Sequence, residues 1–256
     1  MKTIILNNHE VKMYDSIDEM PIINFQKYNK FLIIDAGLGS DIDSIDEHLV
    51  NLAKLIKLNK DKAQQELQNL RQTMHLIISG ISPQHLAFTA LIKSIDGKEL
   101  EDFSDENLKS ILDKLKGTKH SLIISILQSV KKKLSSELEV YFPNEFSSSR
   151  DREVYDKLKQ RTLLQLESIA NGTNNADKIA EIDAMLFNLH KPKSFYGNTS
   201  VEIKYDKQFE TACMIISQKA SMNAKSMTVL EFYNTLNNLS KQAEAEAKAY
   251  KKARRK

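Results

Sequence analysis

Seven glycines and four prolines are the only strong helix breakers in 256 residues. A chain so seldom interrupted is predicted to form long helices joined by short corners. The apolar residues point the same way, because over most of the length they recur every three or four positions. The first fifteen residues differ. There Thr3–Leu6 and Glu10–Tyr14 flank Asn7-Asn8, and asparagine tolerates the positive φ of a tight hairpin turn. A small β-hairpin is expected, and two strands alone are marginal, so it must lean on the rest of the chain.

From Asp18 the period becomes helical. Pro21 suits a first turn, and Ile22, Phe25, Tyr28, Phe31 and Leu32 share one face. Gly37 is placed just past the end of that helix. Ser44 and Glu47 form a capping box for a second helix, with Ile45, Leu49, Leu52, Ala53 and Ile56 as its inward stripe. A third helix over 60–79 turns Ala63, Leu67, Leu70, Met74, Ile77 and Ile78 inward. A fourth starts at Ser82-Pro83 and continues through Leu91 to Ile95, where Asp96-Gly97 is a turn signal. Ser104 caps a fifth helix, and a sixth covers about 119–140. Residues 143–150 read as a linker. Two more helices cover about 151–170 and 176–189. Val201, Ile203 and Tyr205 alternate like a strand before Phe209, Ala212, Cys213 and Ile216 turn helical. Thr228 with Glu231 caps the last helix, whose apolar residues stop at Leu239.

The fold class expected is mainly α: a multi-helix bundle with a small N-terminal β-hairpin and a protruding C-terminal helix. Three segments are expected, namely 1–142 (hairpin plus helical domain), 150–240 (helical subdomain) and 241–256 (basic helical tail). The net charge of +3 hides an asymmetry. Residues 241–256 hold seven cations against Glu244 and Glu246, so the remaining residues sum to −2. Lys248, Lys251, Lys252, Arg254, Arg255 and Lys256 therefore form a candidate contact for nucleic acid or an acidic partner; a merely solubilising terminus is the alternative. Contact through phosphates would be independent of base sequence.

Chemistry is hard to place. Gly37-Leu38-Gly39-Ser40 lacks the lysine of a phosphate-binding loop, and Ile42 stands where a dinucleotide fingerprint needs glycine. The acids from Asp41 to Asp46 lack calcium-loop spacing, since Ile45 and Asp46 occupy the fifth and sixth positions. They fit a helix N-terminus instead. The six histidines show no paired spacing, and Cys213, the only cysteine, excludes an intrachain disulfide and sits in an apolar setting. No catalytic residue, metal ligand or cofactor is expected. Nor is a signal peptide or a membrane-spanning segment expected, which places synthesis in a cytoplasm. Glu66, Asn69, Arg71 and Gln72 read as a solvated face or a contact strip for another subunit. Phe142, Phe146, Phe195 and Tyr196 fall in predicted loops, where they serve either as partner anchors or as residues tucked onto the chain's own core.

Three passages resemble helical virion-morphogenesis proteins of tailed bacteriophages, in particular crAss-like and other Bacteroidetes phages. They are Met20-Pro21-Ile22 through Asp41, Glu66-Leu67-Gln68-Asn69-Leu70-Arg71-Gln72, and His85-Leu86-Ala87-Phe88 through Lys98. Met227–Tyr233 adds a fourth, outside the main span of about 10–115. The resemblance implies a non-enzymatic head–tail connector or ring subunit of the portal–tail region, oligomeric, in contact with other virion proteins and assembled in the host cytoplasm. A tail-assembly chaperone or packaged cargo protein is the alternative it leaves open. A helical nucleic-acid-binding protein using the basic tail is the alternative the charge pattern leaves open.

Overall fold

The computed structural model describes the chain except residues 81, 101, 103, 116, 147–148, 190–192 and 254–256; for 105, 144–145, 149–155, 187–189 and 251–253 it describes backbone only. The molecule is mainly α. Strands β1 (Lys2–Leu6) and β2 (His9–Met13) form the expected hairpin, with Asn7 and Asn8 at φ 47° and 66°. The hairpin extends into a four-stranded antiparallel sheet in the order β1-β2-β3-β4, where β3 is Ile92–Ile95 and β4 is Lys98–Glu99. β3 and β4 are joined through Asp96-Gly97, both at positive φ. The fourth predicted helix is thus too long. It ends at Ala90, and Ile92 to Ile95 pair along the open edge of β2, with Val11 opposite Ile95. An unpaired inner strand edge would leave donors and acceptors unmet, and this outweighs the helical spacing of Leu91 and Ile95.

The sheet leans on α1 (Ile22–Leu38) and α4 (Pro83–Ala90), which pack on each other more extensively than any other pair of elements. α4 is buried over most of its surface, with Ala87, Phe88 and Ala90 fully enclosed, and it stands at the centre of the core. Around it stand α5 (Asp105–Lys114) and α6 (His120–Tyr141), whose Ile123, Ile126, Leu127, Val130, Leu134 and Leu138 face inward as their spacing predicts. α2 (Ile42–Leu58) and α3 (Lys60–Ser79) form a separate antiparallel hairpin beside α1. Asp41, not Ser44, caps α2: its carboxylate accepts from the Ser44 N–H at 2.8 Å.

Residues 143–150 are no simple linker. α7 (Pro143–Phe146) occupies the first half, and α8 (Ser149–Asn171) begins in the second. α8 and α9 (Ala176–Leu189) pack chiefly on each other, and none of their described residues joins the main core cluster. α10 (Val201–Ala220) is helical from its first residue, contrary to the strand-like alternation of Val201, Ile203 and Tyr205. Ser200 caps it by accepting from the Ile203 N–H, and Asp206 binds both Lys30 Nζ (2.7 Å) and Gln26 Nε2 (2.6 Å) of α1. A short 3-10 turn, Ala224–Ser226, leads to α11 (Val229–Ala253). Met227, Val229 and Leu230 strap that end to the beginning of the chain through bonds to Ile22, Met20 and Ile17 at 2.9–3.0 Å. The core cluster accordingly runs from Leu6 to Phe232, across the boundary expected near 143–150.

Candidate functional site

The acid–glycine corner that joins α1 to α2 sits on one wall of a cleft of about 380 Å³. The corner between α3 and α4 and the start of α6 supply the other walls, so the lining includes Asp35, Ser40, Asp41, Ser44, Ser82, Gln84 and His120. Gly39, at φ 67°, ends α1; the spacing places Gly37 just past the end of that helix, but Gly37 lies inside it. A Cβ on Gly37 would fall inside the ring of Phe195, so glycine is needed there for close approach and not for a turn. Asp35 accepts from Gln84 Nε2 at 2.8 Å. Burial holds its carboxyl above the usual range, with the neighbouring Asp41 adding to the effect and the Gln84 bond opposing it. Asp41 is held below its usual range by its bonds to the Ser44 hydroxyl and N–H. His120 Nδ1 meets His85 Nε2 at 2.8 Å. Burial depresses the His85 pKa, and the charge of His120 lowers it further. Each named carboxylate thus has a partner within the chain, and the cleft works as a polar seam between two helix corners.

Behind this seam lies a denser network. His48 on α2 is 7% exposed and Glu66 on α3 is 4% exposed. Nδ1 of His48 lies 2.8 Å from Glu66 Oε1, while Nε2 lies 3.1 Å from both the Leu38 carbonyl and Thr73 Oγ1. The Thr73 hydroxyl donates to that same carbonyl at 2.7 Å, which leaves its lone pair free to accept. Both ring nitrogens therefore face acceptors, an arrangement that suits the doubly protonated imidazolium. The His48 pKa is raised accordingly, first by the Glu66 bond and then, against burial, by the Leu38 carbonyl. Asn69 extends the network by donating to the Lys193 carbonyl at 2.9 Å and accepting from the Phe195 N–H. The cluster ties α1, α2, α3 and the segment before α10 into one joint. Nothing matches this chain among protein-family models, curated proteins or solved structures.

Glu66 and Asn69 are thus not on a solvated face or a contact strip; only Arg71 of that group is exposed. α3 is rotated from its expected setting, so that Glu66, Asn69 and Thr73 turn inward while Leu67, Met74 and Ile78 turn outward. α2 shows the same displacement, with Leu49 and Ile56 exposed. The partner of Glu66 lies 18 residues away and that of Asn69 lies 124 away, and neither pairing leaves a trace in local spacing.

The four aromatic residues of the predicted loops divide between the two expected roles. Phe142, 1% exposed, belongs to the chain's own core, and its ring centroid lies 5.5 Å from that of Tyr233 on α11. Phe146 is half-buried against the same tyrosine, edge to face at 5.0 Å. Phe195 is buried on Gly37. Tyr196 alone of the four is exposed, at 58%. In the tail, Lys248 is exposed on the outer part of α11. Lys251 and Lys252 continue that helix, with side chains outside the description, and Arg254, Arg255 and Lys256 lie outside the described residues. Among the described residues no cluster of His, Cys, Asp and Glu is placed to hold a metal ion, and no helix is long and apolar enough to cross a membrane.

Proposed function

We propose that this chain is a non-enzymatic structural subunit of a tailed-phage virion, a ring or connector protein of the portal–tail region. The observation that carries the reading is the α8–α9 hairpin. It stands apart from the core and exposes Leu158, Leu163, Leu166, Ile169 and Met185 along two adjoining helices. Apolar helix faces in water favour docking against other subunits. The likeness of residues 10–115 to phage morphogenesis proteins supports the virion as the setting. Mass spectrometry of purified particles is the test. A fixed copy number relative to the portal protein is expected. Absence from particles overturns the connector, and binding to a tail protein in lysate without retention in particles favours an assembly chaperone instead.

A second reading rests on α11. The helix runs past its last core contact at Leu239 and carries Lys241 and Lys248 exposed, ahead of the basic terminus. This supports salt-sensitive, sequence-independent contact with nucleic acid. Duplex DNA binding by the full chain should weaken steeply with salt and vanish when 241–256 are removed. Binding that survives the truncation removes this reading.

A further inference from the structure

Leu49 and Ile56 on α2, and Leu67, Met74 and Ile78 on α3, have core spacing in the sequence yet stand in water, as does Ile42, which is 72% exposed. Their positions are related. Leu49 follows buried His48, Ile56 follows buried Leu55, Leu67 follows buried Glu66 and Met74 follows buried Thr73. One residue is about 100° of helical rotation, so each stripe lies to the same hand of its buried face. The His48–Glu66 and His48–Thr73 bonds show those buried faces meeting between two antiparallel helices. Both stripes consequently emerge on one side of the hairpin. The six residues expose on the order of 600 Å² there, at the upper end for a lone monomer surface, and two such faces together would bury roughly 1,200 Å², the lower bound of a standard interface.

The pattern on α2 names the occupant. Ile42, Leu49 and Ile56 repeat every seven residues and are symmetric about Leu49. The charges beside them are opposite in the two halves, with Asp43, Asp46 and Glu47 before the centre and Lys54 and Lys57 after it. Among the described residues, Asp43, Asp46, Lys54 and Lys57 form no ion pair. We propose that this face binds a second copy of the same chain, with the two α2 helices antiparallel across a twofold axis near Leu49. Leu49 then meets its own counterpart and Ile42 meets Ile56. Asp43 and Asp46 of each copy lie beside Lys57 and Lys54 of the other, and the axis repeats every contact. Pairing in the parallel sense would set acid against acid.

The inference does not depend on the virion reading, and its test separates the two. Sedimentation equilibrium of the full chain should show a dimer at micromolar concentration. Leu49→Asp, on an exposed position, should weaken it on the order of thirtyfold or more while leaving the far-UV circular dichroism of the folded chain unchanged. Lys54→Glu with Lys57→Glu, and separately Asp43→Lys with Asp46→Lys, should each be monomeric alone and form a heterodimer when mixed. Val50→Cys should cross-link to itself with a short bis-maleimide, whereas Leu58→Cys, distant from the axis, should not. A monomer at every concentration, a dimer indifferent to Leu49→Asp, or charge variants that fail to recombine overturns the proposal. A ring that survives Leu49→Asp overturns it too, while leaving the connector reading intact.

Discussion

His48 and Glu66 make the pH response of this protein predictable. The folded pKa of His48 lies above its ordinary 6.5, so the folded chain binds the proton more tightly than the unfolded chain. The stabilisation is complete below about 6.5 and is lost as pH rises through the higher folded value. His85 works in the opposite sense. Its folded pKa is depressed by burial, so its contribution is present above 6.5 and is lost as pH falls. Only a difference between variants isolates His48. Glu66→Gln should cost about 1–3 kcal/mol near pH 5.5, where the imidazolium loses its charged acceptor, and progressively less as pH rises through the raised folded pKa of His48 and the ring becomes neutral. Urea midpoints across a pH series measure this, and a loss that stays constant across the whole series rules out a charged pair. Gly37 supplies a second test at this scale. Alanine is the better helix former by about 1 kcal/mol, yet its Cβ must displace the Phe195 ring, an overpacking that costs about 1–3 kcal/mol. Gly37→Ala should therefore lower the thermal midpoint, and adding Phe195→Leu should recover part of the loss. A rise in the midpoint of the single variant would show that the ring moves aside freely.

Among the elements, several whose signals are local were readable from the sequence, although the Ser44–Glu47 box gave way to Asp41 as the cap of α2. The Thr228–Glu231 capping box forms as written, with Glu231 accepting from the Thr228 N–H at 2.9 Å and Thr228 accepting from the Glu231 N–H. Asn7-Asn8 makes its turn, and Ser104 caps α5 by accepting from the Asn107 N–H. What spacing alone misses is decided by distant partners. β3 exists because β2 offers an edge some eighty residues earlier, and α3 is set in rotation by His48 and by the Lys193 carbonyl. The network in the candidate site therefore looked like surface. One signal was present: Glu66, Asn69 and Thr73 keep helical spacing beside Ala63 and Leu70, as a buried polar stripe does. The far end of α11 follows from composition, since among the described residues none after Leu239 joins the core cluster. Amide exchange should be slow from about Leu230 to Leu239 and fast across the exposed turns from Lys241 onward. Equal protection along the whole helix would mean that its outer half is packed against something.

Taken whole, the molecule closes on itself through its two distant ends. The bonds from Val229 and Leu230 to Met20 and Ile17, and the packing of Phe25, Phe142 and Phe146 around Tyr233, join the sheet, α1, α6, α7 and α11 in one core. Residues 1–142 alone would expose Phe25, Phe142 and the strap groups of Met20 and Ile22, apolar surface and backbone donors that nothing in the fragment can cover. That fragment should lack near-UV circular dichroism and exchange its amides quickly. The α8–α9 hairpin is the opposite case, because its described contacts are chiefly internal, such as Arg161 Nε with Asp183 Oδ1 at 2.6 Å. Replacing 149–189 by a flexible Gly/Ser linker removes little from the core, and loop closure costs rise only slowly with length. The shortened chain should keep its near-UV signal and a single unfolding transition within a few degrees of the parent. If instead the fragment 1–142 folds and the hairpin deletion unfolds the rest, the core does not run through α11, and α8–α9 is part of what holds the protein together.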